Sequence, residues 1–393
     1  MMTAMTADAS KGPPRAHLRH VEGMRAVAAI AVLFNHGFAQ VWDGGKDPAG
    51  PLSVFKYFMV LGHLAVSVFI VISGFCLMMP VVRAGELRGG VRNFFQRRAR
   101  RILPPYYSAL ALSLLLIWLV IGEPTGTLWD VAIQIRKQDV LSHLFLVHDV
   151  FGTGRINYAF WSIATECQIY LFFPLLVFCW FRFGPKVTVP AALAVAYAVA
   201  NAVAQTRLYR AQIQLFGLFT LGMLAAAVVH SKDPRYGWVR DRFPWALLGL
   251  ASAGLTAALT LSWGWRAARG HFVALDGLVG LVALSLLVLS SRSEKSFWRG
   301  LFGWWPVAAI GTFSYSLYLI HAPLFQLVWQ YGLRPLRLGF DGEFVLIVLL
   351  GMPAIVGASW LFHRAFERPF MTAPAPRDVG MRPALAASPS PLP

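Results

Sequence analysis

Apolar residues in this chain run in blocks about 20 long, separated by short stretches that hold most of the charge. A block of that length matches one crossing of a bilayer core by an α-helix. Ten blocks are predicted, at approximately 23–41, 54–80, 103–122, 160–181, 187–205, 212–230, 244–263, 272–290, 304–332 and 343–366. The fold class expected is therefore all-α, a polytopic membrane helix bundle of about ten transmembrane helices. An even count puts both termini on one side. The segments assigned to that side hold about 24 of the 35 Lys and Arg residues, so the positive-inside rule makes both termini cytoplasmic. Residues 1–21 read as a cytoplasmic tail, 22–370 as the membrane domain, and 371–393, rich in Ala, Pro and Ser, as a disordered cytoplasmic tail. The first twenty residues are polar, with Lys11, Arg15 and Arg19, and no small-residue cleavage site follows, so no cleaved signal peptide is expected.

Composition sharpens the class. With 57% hydrophobic and 13% charged residues the chain is not an ordinary soluble domain. An excess of 35 Lys+Arg over 18 Asp+Glu raises nucleic acid as a partner, but the cations lie between apolar helices. Topology and an anionic ligand explain them better, and no nucleic acid is expected. Cys76, Cys167 and Cys179 fall in apolar stretches without metal-ligand spacing and read as packing, with no metal expected. The localisation expected is the plasma membrane, with lipid as a partner.

Several polar residues interrupt these blocks. Arg25 and His36 are eleven residues apart on the first predicted helix, which puts them on one face about 16 Å apart along the axis. Such a pair faces a cavity or pathway, or else Arg25 snorkels to headgroups and His36 bonds a neighbouring helix. The segment from Val81 to Ile102 is read as a cytoplasmic loop. Its Arg83, Arg88 and Arg92 suit a topogenic signal, whereas Arg97, Arg98, Arg100 and Arg101 crowd the entrance of the third helix and suit phosphate. Glu166 reads as the single acidic residue deep within a crossing, at a depth matching that of His36. Ser314, Tyr318 and His321 share one stripe, as polar glue or as a substrate wall, with His321 read as structural support. His63 and Asp276 also read as structural. The outer loop of about 123–159, with Trp129, His143, His148, Asp149 and Arg155, is a lid or a connector.

Taken in order, Arg25-x10-His36, Ser73-Gly74-Phe75, Arg98-x-x-Arg101-Ile-x-Pro, Trp161-Ser162-x3-Glu166-x3-Tyr170, Ser314-Tyr315-Ser316-x-Tyr318-Leu-x-His321 and Glu367-Arg368-Pro369 resemble the acyltransferase-3 family of integral membrane acyltransferases. The likeness runs from about Glu22 to Phe370, with Cys167 and Ile169 replacing the usual acidic and aromatic residues. It implies transfer of an acetyl or other short acyl group from coenzyme A to a hydroxyl of a glycan, glycolipid, peptidoglycan or macrolide, with no appended extracellular domain expected here. Acetyl-CoA is the implied donor. Arg98 and Arg101 would hold its phosphates, with Arg97 and Arg100 as auxiliary charge. His36 would be the general base or an acyl relay, Glu166 would orient its imidazole, and Arg25 would guide the donor or neutralise the oxyanion. Tyr170, Ser314, Tyr318 and His321 would line or support the site. A second reading is a proton-coupled transporter with His36, Glu166 and His321 as its relay, opposed by the lack of internal repeats and by the arginine cluster. A third is a structural scaffold.

Overall fold

The computed structural model describes residues 18–42, 51–151 and 156–371. Within them the chain forms sixteen α-helices and no strand: α1 (Arg19–Val41), α2 (Phe58–Ala84), α3 (Gly90–Leu116), α4 (Lys137–Leu144), α5 (Trp161–Phe183), α6 (Pro185–Ala202), α7 (Gln214–His230), α8 (Pro234–Arg242), α9 (Trp245–Ala268), α10 (Phe272–Ser291), α11 (Phe297–Phe302), α12 (Trp305–Thr312), α13 (Ser314–Leu327), α14 (Phe340–Leu346), α15 (Met352–Phe362) and α16 (Arg368–Met371). Seven helical segments among the described residues are long and apolar enough to cross a membrane, and a bent pair makes eight. Of the remaining expected blocks, α6 is an 18-residue helix, and α9 and α10 form one continuous run that folds back on itself. Large apolar side chains such as Leu119, Leu171, Phe178 and Leu250 are exposed on the outside of the bundle. A water-soluble protein does not present such a surface; a bilayer solvates it.

Lipid removes most of the hydrophobic drive for helix association, so close backbone packing carries it. The clearest case joins α2 and α7. A Cβ at Gly74 would fall 2.1 Å from the Phe219 carbonyl oxygen, and one at Gly222 would fall 1.9 Å from that of Val71. The glycine of the Ser73-Gly74-Phe75 motif is thus a contact surface for a second backbone. Gly311 does the same for α12 on α1, where a Cβ would lie 1.9 Å from the carbonyl oxygen of Glu22. Helix α1 therefore runs among α2, α12 and α13.

Three expectations change here. First, the arginine cluster is not in a loop: α3 begins at Gly90, so Arg97 to Arg101 ride its early turns. Second, the single helix expected over 304–332 is two helices bent by 74° at Phe313, where α12 ends against α1 and Ser314 Oγ donates back to the Gly311 carbonyl. Third, α1 starts at Arg19, inside the expected tail, and His20 is buried with its Nε2 2.9 Å from Ser291 Oγ. The rest of the N-terminal tail, Arg155 and residues 372–393 lie outside the described residues.

Candidate active site

His36 lies on the second half of α1, where it meets α13. Its Nδ1 is 2.6 Å from Nε2 of His321, and the two rings are within 6° of coplanar with centroids 4.9 Å apart. The imidazoles therefore meet edge to edge rather than face to face. His321 Nδ1 lies 3.1 Å from the carbonyl oxygen of Leu317. A carbonyl only accepts, so Nδ1 of His321 carries hydrogen and, in the neutral ring, its Nε2 is a lone pair. His36 Nδ1–H must then donate to it. Nε2 of His36 is left as the basic nitrogen. The edge of Tyr158 packs on the His36 ring at 5.0 Å, and Tyr318 packs on His321 at 5.6 Å. Tyr158 is held there by fully buried Asn157, whose Nδ2 donates to the Leu319 carbonyl of α13. No sequence period marks Tyr158. Its position comes from a loop tied to a distant helix.

At one end of the bundle a cavity of about 240 Å³ opens between α1, α2, α3, α5 and α13. Arg25, Arg98 and Arg101 line it together with Glu22 and Glu166. Packing sorts the arginine cluster: Arg98 and Arg101 are half-buried and line the cavity, whereas Arg97 and Arg100, also three apart, are exposed. Arg97 instead donates to the Arg88 carbonyl at 3.2 Å. Arg25 is 3.8 Å from Glu22, one turn earlier. Glu166 Oε1 accepts from Ser73 Oγ at 2.9 Å and from the Tyr170 hydroxyl, and Ser73 and Tyr170 are themselves 2.5 Å apart. Ser314 and Tyr318 complete the wall, and Tyr318 accepts from Ser162 Oγ at 2.6 Å.

A second cavity, about 670 Å³, lies at the other end. Trp42, the residue that ends α1, packs on Trp265 and under Arg266, which lines that cavity, while Glu22 and Arg25 near the start of α1 line the first. His63 stands in its wall, between the rings of Phe272 at 3.8 Å and Trp161 at 5.6 Å. Its Nε2 is 3.2 Å from Asp276 Oδ2. Asp276 also accepts from Ser67 Oγ at 2.6 Å and Gln214 Nε2 at 2.9 Å, and it is fully buried. The loop between α3 and α5 closes this end. Trp129, His143, His148 and Asp149 are buried in it, and Tyr106 donates to the His143 carbonyl. His143 and His148 stack 4.0 Å apart. Burial holds His143 down at about 4, and burial and the neighbouring His143 hold His148 at about 3. Burial pushes the Asp149 carboxyl up, against hydrogen bonds from Gln168 and Thr165.

Several sequence expectations are thus rearranged. Glu166 takes Ser73 and Tyr170 as hydrogen-bond partners, while the imidazole of His36 is held by His321, so the carboxylate expected behind His36 is replaced by a second imidazole. The depth match misled because Glu166 sits about one turn from Ser162, toward the arginine cavity. Glu166 is not the single buried acid: Asp276 is fully buried and Glu367 nearly so, the latter accepting from Ser316 Oγ at 2.5 Å with His363 Nδ1 2.9 Å away. His63, read as lacking a companion, has Asp276, 213 positions later. The relay expected of a transporter does not form as one chain, since Glu166 bonds away from both histidines. Arg25 is about 16 Å along α1 from His36, in the cavity with Arg98 and Arg101. Among the described residues no group of three or more His, Cys, Asp or Glu gathers around a common point.

Residues 19–364 match the family model of the acyltransferase-3 acyltransferase domain. The chain is similar to the peptidoglycan O-acetyltransferase OatA of Listeria monocytogenes, 25% identical over 338 residues, which cover 80% of this chain and 50% of that protein. It is similar along nearly its whole length to the acyltransferase MdmB of Streptomyces mycarofaciens, 24% identical over 412 residues covering 96% of this chain and 97% of that one. It thus spans about half of the first relative and almost all of the second. No solved structure matches it. With its helices, its order of motifs and this match, the chain is a multi-pass membrane protein and belongs to the acyltransferase-3 family.

Proposed function

We propose that the protein moves an acetyl group from cytoplasmic acetyl-CoA to a hydroxyl of a glycan or glycolipid reached from the outer side of the plasma membrane, with His36 as general base. The observation that carries this reading is the hydrogen-bond chain from the Leu317 carbonyl through His321 to His36, which leaves His36 Nε2 as an acceptor. That nitrogen lies between the neighbours of two cavities, since Tyr158 lines the outer one and Tyr318 the arginine-lined one.

In the proposed cycle Arg98 and Arg101 bind the phosphates of coenzyme A and Arg25 guides the arm beyond them, a task suited to guanidinium forks. The arginine cavity, about 240 Å³, suits the pantetheine arm, and the nucleotide stays outside near exposed Arg97 and Arg100. His36 Nε2 takes the proton of the acceptor hydroxyl as its oxygen attacks the thioester carbonyl carbon. The C–S bond breaks, and the proton passes to the departing thiolate to give coenzyme A. Tyr318, whose oxygen accepts from Ser162, keeps its own hydrogen for the thioester oxygen as charge develops there. His321 is a positioning residue, holding the tautomer and plane of His36. Glu166, fixed by Ser73 and Tyr170, shapes the cavity wall rather than the histidine.

The names of the relatives support this reading: one is a peptidoglycan O-acetyltransferase and the other an acyltransferase. The test is acetyl transfer by purified protein in nanodiscs, with release of coenzyme A thiol followed beside acetate on the acceptor. Wild type is expected to release thiol only with acceptor present, and His36→Ala to bind acetyl-CoA without transfer. Undiminished transfer by a folded His36→Ala protein would remove His36 from the chemistry.

A further inference from the structure

The first cavity changes character along its length. Helix α2 runs antiparallel to α1: a Cβ on Gly62 would fall 2.2 Å from the side chain of Asn35, while Cys76 lines the cavity with Arg25. His63 and His36 therefore lie at one depth, and each turn of α2 beyond them steps toward the arginines. The residues that α2 gives the cavity, Val66, Phe69, Ile70, Ser73, Cys76 and Leu77, form one helical stripe. One end of this stripe is charged, beside Arg25, Arg98 and Arg101, and its middle is polar, where Ser73 meets Glu166. The end nearest the histidines, around Val66, Phe69 and Ile163, is apolar.

That apolar end is closed and stiff. Val66 lines the first cavity and His63, three residues earlier, lines the second; Ser162 lines the first and Trp161 lines the second. About one turn of α2 thus separates the two cavities. Behind this partition His63 is clamped between Phe272 and Trp161, and in it Ser162 Oγ donates to the Tyr318 hydroxyl at 2.6 Å, tying α5 to α13. Val66, Ile70 and Ile163 are buried, whereas Phe69 is half-buried. The Phe69 ring meets that of Tyr318 nearly at right angles, with centroids 6.2 Å apart, and it packs on the core cluster that holds Leu33 and Leu317. Those two leucines lie one turn before His36 and His321. Phe69 is therefore the bulkiest apolar group at the closed end, wedged beside the hydroxyl that faces the reaction.

From this geometry we infer that Phe69 is the residue that sets the length of the acyl group, admitting acetyl and rejecting longer chains. The inference rests on the acyltransfer reading above, which brings the donor arm in from the arginine end and sets the thioester oxygen at Tyr318. A methyl group beyond that carbonyl then lies against Phe69, Val66 and Ile163. A longer chain must push Phe69 into the packed core behind it, since the partition toward the second cavity is held on both sides. In a closed apolar pocket one methylene changes selectivity by about 10–200-fold.

The experiment is equilibrium binding of coenzyme A, acetyl-CoA and butyryl-CoA to the full-length protein in nanodiscs, without acceptor. Wild type is expected to bind acetyl-CoA at least about tenfold more tightly than butyryl-CoA. Phe69→Ala should bring butyryl-CoA level with or ahead of acetyl-CoA and leave the affinity for coenzyme A unchanged. Phe69→Leu, a milder change that carries the test if Phe69→Ala fails to fold, should move the same ratio part of the way. Leu77→Ala removes a similar apolar bulk from the arginine end of the same cavity and should keep the wild-type ratio. Butyryl-CoA binding wild type as tightly as acetyl-CoA, a ratio unmoved in the folded Phe69 variants, or an equal shift in Leu77→Ala would each overturn the inference. In those cases coenzyme A still binds, and the acyltransfer reading stands. Failure of all three ligands to bind folded wild type would overturn the inference together with the donor site on which it rests.

Discussion

Two histidines lie at the same depth on neighbouring helices, and the protein supports them in opposite ways. His63 has an acidic side chain behind it, that of buried Asp276, which is bonded by three donors. His36 has only the lone pair of His321 and, behind that, a backbone carbonyl. A base that must take a proton and hand it to a leaving thiolate within one turnover is served by the neutral support. A residue that orients a ligand is served by the carboxylate, because its tautomer never changes. The difference warns against looking for a hydrolase-like triad wherever a histidine and an acid share a membrane bundle.

The largest expected effect comes from removing the weakly supported member. His36→Ala should lower transfer by about 10²–10⁴-fold, the usual range for a lost general base, with acetyl-CoA affinity unchanged. If His63→Ala has the larger effect on the maximal rate, the roles of the two histidines are reversed. His321→Ala leaves His36 Nδ1–H without its acceptor and should cost about 10²-fold, smaller than His36→Ala. On the proposed positioning role of His321 behind His36, its loss should also displace the pH–rate profile, which a merely structural change would not. An unshifted profile with normal turnover would reduce His321 to packing.

Next comes the donor end. Arg98→Ala with Arg101→Ala should raise KM for acetyl-CoA about tenfold or more, equivalent to about 1.4 kcal/mol or more of binding, and leave kcat within a few-fold. Arg97→Ala with Arg100→Ala should do less, and its effect should vanish at high salt, since both residues are exposed. Equal effects of the two pairs would mean that the facing direction of Arg98 and Arg101 carries no selectivity.

The smallest effect is on stability. His143 and His148 are buried with pKa values held at about 4 and about 3, whereas the unfolded chain takes up these protons near about 6.5. Between those limits the unfolded state binds more protons, so the contribution is complete above about pH 6.5 and is lost as pH falls toward 4 and then 3. The apparent Tm in detergent should therefore drop by several degrees between about pH 7.5 and 5. A His143→Leu/His148→Leu variant should have a flatter pH dependence, and an identical slope would mean that neither imidazole is the cause.

Much of this was legible along the chain. Long apolar blocks gave the helices, because a bilayer allows few other spanning structures. The arginine cluster was legible as a group, but Arg97 and Arg100 share the i,i+3 spacing of Arg98 and Arg101, so only the neighbouring helices decide which pair faces the cavity. That the segment is helical was missed, because its charge hides the continuity of α3 across the membrane edge. Ser73 and Tyr170 appeared in the motifs, but not as partners of one carboxylate. Asp276 sat too near a predicted helix end to be read as buried.

By itself the sequence determined the membrane class, the order of the motifs and the identity of the polar residues that a bilayer would not tolerate without a purpose. Those properties are local, set by hydropathy over one crossing and by spacing along one helix. Only the tertiary structure decided which of these residues meet. Pairing His36 with His321, His63 with Asp276 and Glu166 with Ser73 depends on which helices adjoin and how far each slides along its neighbour. That is settled by close contacts such as Gly74 on Phe219 and Gly311 on Glu22, between residues far apart in the chain. A helix states which side chains share a face, and its neighbours decide what that face touches.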